Sequence, residues 1–267
     1  MSLRPVRVLS YSDCLAAPVA GAAQRGVVQS VFRAAANITF PGDFVLALNA
    51  LHAPRVPNGL QLSASADTFP FSALQVGMPV LFGARRLHIE ALPLSLDLTY
   101  CERWDASIAR PEPLNFTIVE KNGIWLLHYL DDDTIPFFPS VQVMAQALCG
   151  RGPGLTPSGD DMLAGWMAVN WLLYGSRPRL LAACQQILAV AERQTHLLSR
   201  CWLSYAAQGY VAEPVGRLLV ALTHDNETGA SEEELIRATQ AVLALGATSG
   251  RDMIQGILLG LKGVPVW

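Results

Sequence analysis

The chain has 267 residues, 51% of them hydrophobic and only 15% charged, with a net charge of −3. That composition belongs to a compact globular protein with a sizeable core, in one large domain or two ordinary ones, and excludes a disordered chain. No dense Lys/Arg run is present, so nucleic acid and an anionic membrane are excluded as main partners, whereas a small acidic substrate needs only local donors and is not.

Near the N-terminus, Arg4 and Arg7 precede "VLSYSDCLAAPVAGAA", where Asp13 and Pro18 interrupt any signal-peptide core. From Val27 to about Tyr129 the chain is rich in Val, Phe and Thr in short segments. "VVQSVFRAAANITF", "DFVLALNA", "GLQLSA", "PVLFGARRLHIE", "FTIVE" and "IWLLHYL" read as strands. "PGD", "PNG" and "KNG" between them supply turn chemistry, so "ITFPGDFVL" and "IVEKNGIWLL" read as hairpins, the second turning at Asn122-Gly123. Residues 99–112 read as one surface helix.

After about Pro139 the texture changes to long Ala/Leu-rich segments. They predict helices over roughly 140–149, 160–174, 178–206 (with a break), 214–222, 231–245 and 250–262. Ser231 with Glu234 makes a capping-box signal, and Gly175 a C-terminal stop. The longest apolar stretch, Met162 to Tyr174, contains Asn170 and is too short to span a bilayer. The expected class is α+β: an antiparallel β-rich region, sheet or barrel, over 1–135, then an all-helical region over 136–267 with its seam at "PFFPS". The five cysteines are widely spaced and form no CxxC pair, which fits reduced, mostly buried thiols in a cytoplasmic protein.

The chemistry concentrates in "GRGPGLTPSGDDMLAG", Gly150 to Gly165. Gly150, Gly152 and Gly154 let a ligand approach the backbone closely, and Gly159 lines the same site. Thr156 and Ser158 offer hydroxyls, and the helix starting near Asp160 presents N–H groups and a partial positive charge. Together these read as a cradle for phosphate or carboxylate. It is not a Walker A loop, since no Lys follows the last glycine. Asp160 and Asp161 have two readings. Acids in a first helical turn stabilise it against the macrodipole; the same carboxylates suit a base, an acceptor for a substrate N–H, or ligands for a divalent cation such as Mg²⁺.

"GLTPSGDDMLAG" at 154–165 is echoed by "GATSGRDMIQG" at 246–256 once Pro157 is treated as an insertion. The second copy offers Thr248, Ser249, Gly250 and Arg251, with Arg251 at the position of Asp160. Arg251 suits bidentate capture of a carboxylate or phosphate, or a salt bridge to an acid such as Asp252. A third polar cluster, "RQTHLLSRCW", puts Thr195 and Ser199 four apart and hence on one helix face. The expectation is that the two Gly-rich loops face one pocket, with Asp160, Asp161 and Arg251 as its catalytic groups. Gly154, Thr156, Ser158, Gly159, Thr248, Ser249, Gly250, Thr195 and Ser199 are then its substrate or anion contacts.

The first motif, followed by Thr195 and Leu198–Arg200 and then "GATSGRDMIQGI", resembles the bacterial AllH family; "GVVQSVFRAAANITF" fits the same family near the start. The resemblance spans most of the chain. It implies a subunit of oxamate carbamoyltransferase, which moves a carbamoyl group between oxalurate and phosphate, giving oxamate and carbamoyl phosphate, in anaerobic allantoin use. It also implies FdrA-type and AllG-type partner subunits. It carries no residue-level catalytic assignment, so the site residues above stand on their chemistry alone. Two other readings stay open: a non-catalytic scaffold whose loops only start helices, and a metal- or nucleotide-dependent phosphotransferase.

Overall fold

A computed structural model of the chain describes residues 6–69, 71–92, 94–131, 135–225 and 229–263, the side chains of residues 229 and 230 excepted. The chain divides into two compact units, Met1–Ala106 and Ser107–Trp267. The division falls upstream of the 135/136 seam read from composition.

The first unit is a nine-stranded sheet of β1 (Val8–Ser12), β2 (Gln24–Val31), β3 (Ala35–Phe40), β4 (Phe44–Asn49), β5 (Gly59–Leu62), β6 (Pro79–Gly83), β7 (Arg86–Ile89), β8 (Leu94–Asp97) and β9 (Glu102–Trp104), with one short helix, α1 (Ala16–Ala20). The spatial order is β8-β7-β6-β2-β3-β4-β5-β1-β9. Laid flat, such a sheet would separate its outer strands by roughly 40 Å. Residues 98–101 alone join those strands, and that span reaches at most roughly 18 Å. The sheet must therefore curl until its edges nearly meet. Cys101 Sγ, donating to the Val8 carbonyl at 3.2 Å, ties this connection to β1. Bulges in β1 after Val8 and in β2 after Val28 supply local twist for the curl. The inward side holds the core, including Ile38, Leu46, Leu60, Leu87, Leu96 and the ring cluster of Phe40, Phe44 and Phe82.

The expected hairpin at "ITFPGDFVL" forms as β3–β4, turning through Gly42 and Asp43 at positive φ. The expectation of antiparallel pairing holds for most of the sheet but not all of it. The β4–β5 and β1–β9 pairs are parallel. A crossover over residues 50–58 makes the first possible, held by Gln61, which donates to the carbonyls of Ala50 and Ala53, and by Asn58, which donates to Val45.

The second unit is helical: α2 (Phe116–Leu130), α3 (Val141–Leu148), α4 (Ser158–Tyr174), α5 (Pro178–Gln194), α6 (Leu197–Ala206), α7 (Glu213–Ala221), α8 (Gly229–Leu243) and α9 (Ser249–Lys262). Three sequence expectations fail from residue 99 onwards. The hairpin expected at 116–130 is the helix α2. Asn115 caps it by accepting from the N–H groups of Thr117 and Ile118, and Val119, Leu126 and Leu130 are buried at helical spacing. Asn122-Gly123 serves packing instead of turning: buried Asn122 donates to the Leu222 and His224 carbonyls at the end of α7, and Gly123 lies against Leu261. The surface helix expected at 99–112 is absent; Glu102–Trp104 pairs with β1, and Pro111 and Pro113 oppose helix beyond it. The long segment 178–206 does contain a break, and it falls at Thr195–His196, between two residues that the sequence put on one helix. α8 starts at Gly229, so Ser231 lies inside it and is not its cap.

α4 is the central element. Nearly its whole circumference is buried, with Trp166 fully enclosed. That explains a continuous apolar run with no polar face, the pattern of a helix surrounded by protein.

Candidate functional site

α4 and α9 run side by side and in register. Gly165 faces Met253 and Ile257, whereas Gly260, further along α9, faces Trp166, Val169 and Asn170. The contacts advance in the same direction along both chains, so the helices are parallel and their N-termini meet. The sequence echo is thus a structural repeat. A Cβ on Gly165 would collide with the Met253 carbonyl oxygen; one on the equivalent Gly256 would collide with that of Met162. The helix starts match too: Gly159 lies against the Leu148 carbonyl at the end of α3, and Gly250 against the Val242 carbonyl near the end of α8.

Helical geometry then decides where the polar side chains go. Asp161 and Asp252 stand four residues before Gly165 and Gly256, one turn up on the same face, and so flank the seam between the helices. Asp160 and Arg251 are one residue earlier, about 100° round their helices. Asp160 points to the α5–α6 junction, where one carboxylate oxygen accepts from the Gly150 N–H at 2.8 Å and the other from the Thr195 hydroxyl. Arg251 is exposed and donates from Nη2 to the Leu130 carbonyl at the end of α2, 3.3 Å away.

At the seam, Thr156 Oγ1 and Ser249 Oγ are 3.3 Å apart and join the two loops. Asp161 is 8% exposed. Its Oδ2 is buried without a hydrogen-bond partner, and so is Oδ2 of Asp252. Burial pushes the Asp161 carboxyl up to about 7; hydrogen bonds from Ser249 and Thr156 pull the other way, and the charges of Asp252 and Asp160 add to the rise. The cluster combines hydroxyl donors with acceptor oxygens. The first-turn backbone donors are mostly engaged within the protein: Gly159 N–H to Arg151, Asp160 and Asp161 N–H to Pro157, Gly250 N–H to Leu245 and Asp252 N–H to Thr248.

Thr156, Asp161 and Ser249 thus come together. Thr195 and Ser199 brace the first loop from outside, Thr195 through Asp160 and Ser199 by donating to the Leu155 carbonyl at 3.3 Å. They do so without sharing a continuous helix, because Thr195 ends α5 and precedes α6. Gly154 sits at the exposed tip of the loop with φ +94° and open space about it; Ser158 is half-buried beside Gly152. Thr248 precedes α9 and makes no side-chain capping bond. The residue that the sequence reading passes over is Asp252. The echo aligns it with Asp161, whereas the sequence reading gives it only as a salt-bridge partner for Arg251. Among the described residues, no group of three or more His, Cys, Asp or Glu side chains is arranged to hold a metal ion. None of the five cysteines is in a disulfide, and burial pushes the thiols of Cys149 and Cys184 up to about 12. Among the described residues no helix is long and apolar enough to cross a membrane.

Two family models match the chain. One, the AllH family N-terminal domain, covers residues 7–103; the other, oxamate carbamoyltransferase subunit AllH, covers residues 148–261 and so contains both helix starts and the seam. The description is that of a subunit, one component of an assembly with other proteins. No solved structure matches the chain. With both halves matched, the chain belongs to the AllH family.

Proposed function

We propose that this chain serves a carbamoyltransferase that moves a carbamoyl group between oxalurate and phosphate, giving oxamate and carbamoyl phosphate, and that the small substrate sits at the N-terminal end of the α4–α9 seam. The observation that carries this reading is the buried carboxyl of Asp161, held beside Thr156 and Ser249 with its Oδ2 left without a partner. A buried carboxylate oxygen left without a partner is costly, and such groups cluster at functional sites. With its pKa near 7, Asp161 can hold or release a proton at physiological pH, as acid–base chemistry at a carbamoyl nitrogen requires. The carbamoyl carbon passes through a tetrahedral, anionic transition state, and the Thr156 and Ser249 hydroxyls are the donors able to stabilise it. Holding the two reactants side by side supplies much of the remaining rate, and no covalent nucleophile is required. The setting is allantoin catabolism in the cytoplasm, with FdrA-type and AllG-type subunits completing the enzyme.

The test is reconstitution with both partner subunits and measurement of carbamoyl phosphate formation from oxalurate. Asp161→Asn is expected to lower turnover by roughly 100-fold or more. Wild-type turnover in that variant would remove Asp161 from the chemistry.

A second reading has its own support. Asp160 has both oxygens occupied, Arg251 donates to Leu130, and the first-turn N–H groups are bonded internally. Those facts favour a scaffold whose loops start helices while a partner subunit carries the chemistry. Calorimetric titration of the full chain with phosphate, carbamoyl phosphate and oxamate separates the two, since a scaffold binds none of them.

A further inference from the structure

We propose that Asp252 joins Asp161 in accepting hydrogen bonds from the NH₂ of a carbamoyl or primary amide ligand at the α4–α9 junction, so that the junction takes a neutral amide end and rejects a bare anion. The proposal rests on the junction being the substrate site.

The argument begins with the repeat. Asp161 and Asp252 are equivalent residues, each four positions before the glycine at which its helix meets the other, so both carboxylates lie along one seam. The Thr156–Ser249 contact closes the two loops over the same end. Each carboxylate presents a buried Oδ2 with no partner, and Asp161 is more than nine-tenths buried. With both groups ionised, as above about pH 7, two such oxygens repel a phosphate or carboxylate oxygen brought against them. An amide end has the opposite pattern. Its NH₂ offers two N–H donors, one for each unpartnered oxygen, while its carbonyl accepts from the Thr156 or Ser249 hydroxyl once that hydroxyl turns from its present partner. The mixture of donors and acceptors at the seam is therefore complementary to H₂N–C=O and not to a free carboxylate or phosphate. The other charged groups on these two helix starts do not alter that balance. Asp160 is turned to Gly150 and Thr195, and Arg251 to Leu130.

Oxamate and oxalate make the discriminating pair, since they differ by NH₂ against O⁻. The full chain is titrated calorimetrically with each, alone and assembled with its partner subunits, and thermal melts check that every variant is folded. Wild type is expected to favour oxamate over oxalate. Asp252→Asn keeps the shape but replaces one acceptor oxygen by a donor, and is expected to weaken oxamate roughly tenfold or more while leaving oxalate unchanged or tighter. Oxamate binding unchanged in Asp252→Asn, or oxamate and oxalate weakened alike, overturns the proposal. If Thr156→Ala and Ser249→Ala still weaken oxamate in that case, the junction remains the substrate site and only the amide assignment fails. Absence of binding by wild type in either state sinks the underlying site reading instead. Oxamate binding that requires Mg²⁺ and disappears with EDTA also overturns the proposal, because the acids then hold a cation.

Discussion

Gly165 of α4 and Gly256 of α9 hold reciprocal positions. Each lies where a Cβ would collide with the carbonyl oxygen of the methionine three residues before the other, Met253 and Met162. The colliding atoms are backbone, so they cannot swing aside. Gly165→Ala and Gly256→Ala should each destabilise the helical unit by about 1–3 kcal/mol, the range of a forced overpacking. Urea unfolding monitored by helical circular dichroism measures this. A midpoint unchanged in both variants would mean the helices are not in contact there.

The carboxyl of Asp161 gives stability a definite dependence on pH. Its folded pKa, about 7, stands above the value of about 4 expected for an unfolded Asp. The folded state therefore binds the extra proton between those values. Its contribution is fully present below pH 4 and is lost as pH rises towards 7, then levels off. Asp161→Asn should abolish that slope. The check is the difference in unfolding free energy between wild type and variant across pH 4–8; a flat difference contradicts the burial of a titrating group.

Thr195→Val should destabilise by about 1–3 kcal/mol, because it removes a donor from the buried carboxylate of Asp160 and supplies nothing in return. Ser199→Ala frees only the carbonyl of exposed Leu155 and should cost less. Thermal melts of the two variants under identical conditions rank them. The reverse order would show that Asp160 finds another partner.

Thr156→Ala and Ser249→Ala should weaken binding of a charged or strongly polar small substrate by about 1.5–3 kcal/mol each, with smaller losses of stability. The two hydroxyls touch one another, so the double variant should lose less than the sum. A full cycle of titrations tests both statements, and equal loss of stability with unchanged binding would make these hydroxyls helix-start groups alone.

Much of the fold is determined locally and could be read from the sequence. The change from turn-punctuated Val/Phe segments to Ala/Leu runs marks sheet followed by helices, since periodicity and turn chemistry act within a few residues. The β3–β4 hairpin followed from Gly42-Asp43, and the apolar all-round pattern of α4 announced a helix buried in protein. Where the local signal was ambiguous, tertiary packing decided. Asn122-Gly123 has the chemistry of a hairpin turn, yet Asn122 caps α7 and Gly123 admits Leu261, so residues 116–130 are helical.

The candidate site divides in the same way. The glycines, hydroxyls and acids of 150–165 and 246–256 stood out in the sequence, and so did their kinship, because the same local problem of starting a closely packed helix recurs. Which side chains would meet was not legible there. Adjacent residues on a helix point about 100° apart, so the choice between Asp160 and Asp161, or between Arg251 and Asp252, depends on which face the other helix covers. Only the docking of α4 on α9 settles that. It sends Asp160 to Thr195 and Arg251 to Leu130, and leaves Asp161 and Asp252 at the seam.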